Sequence, residues 1–185
     1  VSSNLSVSSC EFSGNKVVRL HAGYGYGGAI HLLRCSASIT ACEFKENTAS
    51  SAGGALGADE VSHLLIDLCS FSNNQAANGG GVFSSSSASL TIRDSFFHGN
   101  SANTGGGVYV SGNNGTSTLV NTTFHGNTCT QSGGALYLAS QLQAVNCTMT
   151  ENAASAKNSL GGGVYAYTGA RFTAANTIIA GNSCR

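Results

Sequence analysis

The 185-residue sequence has no proline, no tryptophan and a single methionine. It is also poor in charge: Asp, Glu, Lys and Arg make up 9% of residues, and the formal net charge is zero. Without a basic surface there is nothing to displace counterions from a phosphate backbone, so nucleic acid is excluded as a partner. No apolar run reaches eighteen residues, so no membrane-spanning helix is expected. Cys-x-x-Cys pairs and Cys/His sets at zinc spacing are missing, and no metal or cofactor is expected. Low charge with abundant Gly and Ser can signal disorder, but the apolar residues here recur too regularly for that.

What is present is a repeat. Phe-x-x-Asn or a close variant starts at Phe12, Phe44, Phe71, Phe97, Phe124, Met149 and Ile179, and closes at Asn15, Asn47, Asn74, Asn100, Asn127, Asn152 and Asn182. Between these lie Gly-Gly pairs followed by apolar residues, read as starting at Gly27, Gly53, Gly80, Gly106, Gly133 and Gly162. The period is 25 to 27 residues, stretched to 32 by insertions such as VVRLHAGYGY. Runs such as LTIRDSFF, LLIDLCSF and GGVYVS are short, β-branched or aromatic, and alternate in polarity. No run carries a 3.6-residue apolar stripe. Each period holds three short strands: one after Gly-Gly, one at Leu-x-Ile, one at Phe.

That pattern predicts an all-β fold, a right-handed parallel β-helix of about seven coils of 25–32 residues. Residues 1–185 form one β-helix domain, expected to be a mature or trimmed portion of a longer precursor. Coils stack at about 4.8 Å, so equivalent residues form columns. Phe12, Phe44, Phe71, Phe97 and Phe124 make an inward aromatic stack. The Asn column is expected to turn the chain with unusual backbone angles and to link coil to coil through an amide ladder. Phe and Asn therefore encode shape rather than a ligand site.

Phe-x-x-Asn alternating with Gly-Gly-Ala-Ile, as at Gly27 to Ile30, resembles the repeats of the chlamydial polymorphic outer membrane proteins. Similar repeats occur in surface or secreted proteins of algae and other microbial eukaryotes. The resemblance covers almost the whole chain. It implies a β-helical passenger exposed at the cell surface and associated with adhesion.

Cys10, Cys42 and Cys69 share one inward column, where a disulfide between neighbours or free thiols acting as small core residues both fit. Sequons stand at Asn4, Asn114, Asn121 and Asn146, candidates for N-glycosylation in a secreting eukaryote. Asn121 and Asn146 share an outward column. Chemistry on such a rod needs clustered carboxylates with a basic partner. Glu11 and Glu43 stack, but nothing basic follows them. His98 and His125 stack without a third metal ligand. Tyr24 and Tyr26 are the candidate exposed contact aromatics.

The expected function is that of a non-enzymatic extracellular or cell-surface rod: a filament subunit, stalk or adhesin passenger. Its expected partners are further copies of itself, head-to-tail or lateral, or a cell-surface or glycan ligand. The alternatives are a fragment of a carbohydrate-active β-helix enzyme and a glycan-binding module.

Overall fold

The computed structural model describes residues 3–18, 25–85 and 89–185, apart from the side chains of residues 113 and 114. Among these residues every regular element is a β-strand, and every strand pairing is parallel. The chain winds as a β-helix. Seven strands, from Glu11–Ser13 to Ile178–Ala180, form the phenylalanine sheet and bound six full turns. The three strands of each period are where the sequence places them. In two coils the Gly-Gly strand and the Leu-x-Ile strand run on as one, at Val108–Val120 and Leu136–Val145. A fourth, shorter strand follows most of the Asn residues and forms a narrow third face.

Register is one residue type above its like. Phe12 sits over Phe44, then Phe71, Phe97, Phe124 and Met149. Ring centroids lie 4.6–4.8 Å apart with interplanar angles of 3–12°. Val7, Ile39, Ile66, Ile92, Leu119 and Ala144 form the parallel inward column of the Leu-x-Ile strand. These columns, with Leu56, Val82, Val108 and Leu136 of the Gly-Gly strand, make the core, and Phe44, Phe71, Phe97 and Phe124 are wholly buried. Each stacked aromatic pair adds about 0.5–1.5 kcal/mol beyond the area it buries.

The coil turns its corners on single left-handed residues. One such column lies three positions before each Phe (Ser9, Ala41, Leu68, Asp94, Asn121, Asn146, Asn176), and another is the residue before each ladder Asn (Gly14, Glu46, Asn73, Gly99, Gly126, Glu151, Gly181). Their backbone N–H groups still donate to the next coil, as Ala41 does to Asp67 O and Asp94 to Val120 O. The hydrogen-bond ladder therefore runs unbroken around the corner.

The ladder Asn residues are thus not the ones with unusual backbone, contrary to the sequence expectation. Their job is done by the side chain. Asn100 Nδ2 donates to Phe71 O (2.9 Å) and to Asn127 Oδ1 (2.9 Å), while its Oδ1 accepts from the backbone N and Nδ2 of Asn74 (3.0 and 2.9 Å). The same set of bonds repeats at Asn47, Asn74, Asn127 and Asn152. Five fully buried amides leave no polar atom orphaned.

The glycine column also shifts. Gly27, Gly53, Gly79, Gly105, Gly133 and Gly161 align, with φ between 62° and 73°. In the three Gly-Gly-Gly runs the corner is the first glycine, one residue before the Gly80, Gly106 and Gly162 read from spacing. The left-handed requirement falls on that first position. The second glycine is needed for a different reason: a Cβ at Gly54 would lie 2.1 Å from Gly80 O and 2.6 Å from Gln75 N. The coil is pinched there, backbone on backbone.

Candidate binding groove

Outside the core the columns differ in what they can do. The carboxylates are dispersed in separate pairs between neighbouring coils. Arg34 bonds Glu60 at 2.6 Å, and Arg93 bonds Asp67 at 2.7 Å. The Arg34 guanidinium, by hydrogen bond and charge, holds the Glu60 carboxyl below the usual range. Asp94 accepts from Asn121 at 3.0 Å. Glu11 and Glu43 are in register as expected, both exposed on an open face whose next rungs are Ser70 and Phe96.

His98 and His125 stack at 5.4 Å, and Glu151 lies 3.8 Å from His125. Among the described residues no group of three or more His, Cys, Asp or Glu converges on a metal position.

One outward column was not legible in the sequence. The residue after each Gly-Gly-x-apolar motif forms an aromatic ladder. Phe83 and Tyr109 stack at 5.2 Å, Tyr109 and Tyr137 at 4.6 Å, and Tyr137 and Tyr165 meet at 5.3 Å with a 36° tilt. The rung below Phe83 is Gly57, which has no ring. Tyr26 leans across that bare glycine, stacks on Phe83 at 5.6 Å and meets His31 edge-on at 5.4 Å. Tyr26 is therefore a half-buried rung rather than a free loop aromatic. Tyr24 lies outside the described residues.

Beside this ladder the left-handed glycine corner folds the chain back on itself. The Cβ of Tyr109 hangs 3.1 Å from where a Cβ on Gly105 would be, and that of Tyr165 2.9 Å from one on Gly161. The bare corner leaves a trough between the rings and the column that precedes the glycines: Asn78, Thr104 and Ser132, with Gln131 beside them. Two depressions of about 380 and 270 Å³ follow one another along it and share Asn78. The first is lined by Tyr26 and Phe83, the second by Tyr109, Tyr137, Tyr165 and Tyr167, and among the described residues neither has a charged side chain in its lining. Burial pushes the Tyr109 phenol above its ordinary pKa, and burial with neighbouring phenols does the same at Tyr137.

The model of the right-handed beta helix region matches residues 28–185. The chain belongs to the right-handed β-helix family. The Chlamydia polymorphic membrane protein repeat also matches, over residues 9–32, the stretch that holds Phe12, Asn15 and the Gly27 to Ile30 motif. No curated protein and no solved structure gives a match to the chain.

On this β-helix the remaining sequence candidates fall into place. Asn4 is exposed on an outer strand, and Asn121 and Asn146 are exposed at the corner column before Phe, with φ of 49° and 54°. The side chain of Asn114 lies outside the described residues. Cys10, Cys42 and Cys69 do share one column and stand as free thiols. Each Sγ faces the carbonyl two residues back, at 3.1–3.2 Å. Ser95, Thr122 and Thr177 make the same contact with a hydroxyl at 2.7–2.9 Å. The column is thus one of small donors capping a corner carbonyl, which is why Cys, Ser and Thr interchange in it.

Burial pushes the thiols of Cys69 and Cys129 up to about 11. Iodoacetamide at pH 8 is therefore expected to label exposed Cys10 and Cys184 in the folded β-helix and to reach Cys69 and Cys129 only in denaturant. Peptide mass mapping reads this out, and equal labelling of Cys69 and Cys10 without denaturant would show the core placement to be wrong.

Proposed function

We propose that this β-helix is a non-enzymatic rod of an extracellular or cell-surface protein, serving as stalk or adhesin passenger through contacts made along its flank. The observation that carries this reading is the division of labour between columns. Inward columns repeat one residue type from coil to coil and fix the shape. One outward face then presents a continuous, uncharged strip of rings and amides rather than a cleft around a reactive group. The separate pairing of Glu60 with Arg34 and of Asp67 with Arg93 supports a surface-stabilising role for the carboxylates. The polymorphic membrane protein repeat in the first coils supports a surface setting. Among the described residues no helix is long and apolar enough to cross a membrane.

An antibody raised against the folded rod tests the placement on intact, unpermeabilised cells of the source organism. Labelling of the cell exterior, or recovery of the chain from the medium, is the expected result. Labelling that needs permeabilised cells would refute the surface reading.

A further inference from the structure

The thiol column opens into a shallow depression of about 570 Å³. Cys10, Cys42 and Cys69 line it from three successive coils, with Glu11, Glu43 and Asp94 around them. Among the described residues no Lys, Arg or His shares that lining, so its potential is negative and draws cations. The thiols are placed alike. Cys42 Sγ lies 3.2 Å from Thr40 O of its own coil and 3.9 Å from Val7 O of the preceding one. Cys69 Sγ lies 3.1 Å from Asp67 O and 3.5 Å from Ile39 O, the equivalent atoms one coil on. The backbones that carry them are in register: Glu43 N donates to Cys10 O and Ser70 N to Cys42 O, each at 2.9 Å. Like side chains on in-register coils repeat at the coil spacing, so successive sulfurs stand about 4.8 Å apart. A disulfide needs about 2.05 Å, and both sulfurs would have to leave their carbonyls to reach it.

The same spacing suits a different bridge. Two metal–thiolate bonds of about 2.3 Å laid end to end span about 4.6 Å, close to one coil. We propose that Cys10 and Cys42 form a linear, two-coordinate site for a soft monovalent cation of the Cu(I) type, which joins the first two coils. Thiolate selects Cu(I) among biological cations, and this ion accepts two sulfurs in line. The alternatives fit poorly. Zinc takes four ligands, and calcium takes six to eight oxygens. Neither set is present, because no group of three or more candidate ligands converges among the described residues. Cys10 is exposed and gives the ion its entry, while Cys42 is buried one rung in and shields it from water. Cys69 is buried deeper, and its thiol is held up at about 11, so the pair on the first two rungs loads first. On loading, two S–H bonds break, two S–Cu bonds form and two protons pass to solvent, with no change of oxidation state. The sequence expectation of no metal rested on missing zinc spacings, and those do not bear on two cysteines 32 residues apart that stacking makes neighbours.

This site is independent of the rod's placement and function, and it is tested on the purified, fully reduced chain held without oxygen. Cu(I) is titrated in competition with the chelator bicinchoninate, and X-ray absorption counts the sulfurs around the bound ion. The expected result is one tightly held Cu(I) per chain with two sulfur neighbours. Cys10→Ser and Cys42→Ser are each expected to weaken that binding at least a hundredfold. Both variants are expected to fold, because Ser95 already occupies the same column and bonds the same corner carbonyl. Cys69→Ser and Cys184→Ser are expected to bind as the wild type does. Failure of the wild-type chain to hold Cu(I) against the chelator overturns the proposal. So does full binding by Cys10→Ser, a count of three sulfurs, or a chain dimer that forms on loading, which would make the bridge one between molecules.

Discussion

Asn100→Leu is expected to destabilise the rod by about 3–5 kcal/mol, a large share of what a domain of this size has to spare. The wholly buried amide at this position joins three coils. Leucine is of similar volume, so no large cavity opens. What is lost is hydrogen bonding. Phe71 O loses its Nδ2 donor, and the backbone N–H of Asn74 loses its acceptor, in a place water does not reach. Each buried group left unpaired costs about 1–3 kcal/mol. Because contacts in a solenoid run only between neighbours, the break at the fourth rung also uncouples the two ends. Urea unfolding followed by far-UV circular dichroism is expected to show an earlier and broader transition. Asn73→Gly is the matched control: that side chain is exposed, its backbone is left-handed at φ 54°, and glycine accepts that conformation. An unfolding midpoint for Asn100→Leu no lower than for the control would remove the amide ladder as the axis of the fold.

Gly106→Ala is expected to be at least as damaging, for a different reason. This second glycine of its pair carries no left-handed φ, so conformational freedom is not what it provides. A Cβ there would lie 2.3 Å from Gly134 O and 2.4 Å from Thr128 O, both backbone atoms of the next coil. Neither can rotate away. The coils would have to part, breaking ladder bonds such as Gly106 N to Gly133 O at 3.0 Å. A cost above about 3 kcal/mol follows from overpacking with lost hydrogen bonds. Gly126→Ala separates space from strain: its φ is 61°, but the nearest atom to an added Cβ is 3.8 Å away. It is expected to cost only about 1–2 kcal/mol, the penalty of a left-handed alanine. Thermal melts of the two variants rank them, and a smaller loss at Gly106 than at Gly126 would contradict the pinched cross-section.

The different fates of these positions explain what the sequence could reveal. The Phe and Asn columns were legible because one residue type recurs in every coil, and each is demanded by one environment: a dry stack for Phe, a buried amide ladder for Asn. The corner residues were not. Ser9, Ala41, Leu68, Asp94 and Asn121 share a left-handed backbone and no side-chain chemistry, since their side chains point to solvent and the ladder bonds compensate the strain. The Gly-Gly register slipped by one in the triple-glycine runs, where composition cannot tell the corner from the pinch. The aromatic ladder was hidden by mixed occupancy. Its rungs are His31, Gly57, Phe83, Tyr109, Tyr137 and Tyr165, and the missing ring is supplied by Tyr26 from another column. The signal that could have found it is the aromatic that follows Gly-Gly-x-apolar in four successive motifs: GGVF, GGVY, GALY and GGVY.

A rod that binds along its flank and a rod that cleaves can hold the same polymer, and they part on one measurement. The purified chain is incubated for days with soluble neutral polysaccharides (a β-glucan, a xyloglucan, a galactomannan) and with polygalacturonate, and the chain-length distribution is read by size-exclusion chromatography with light scattering. A non-enzymatic rod leaves every distribution unchanged, with no new reducing or unsaturated ends. A shift to shorter chains that scales with protein concentration and disappears when Glu11 and Glu43 are both changed to Gln would contradict it, and would place a working acid–base pair on the exposed face where those two carboxylates stand in register.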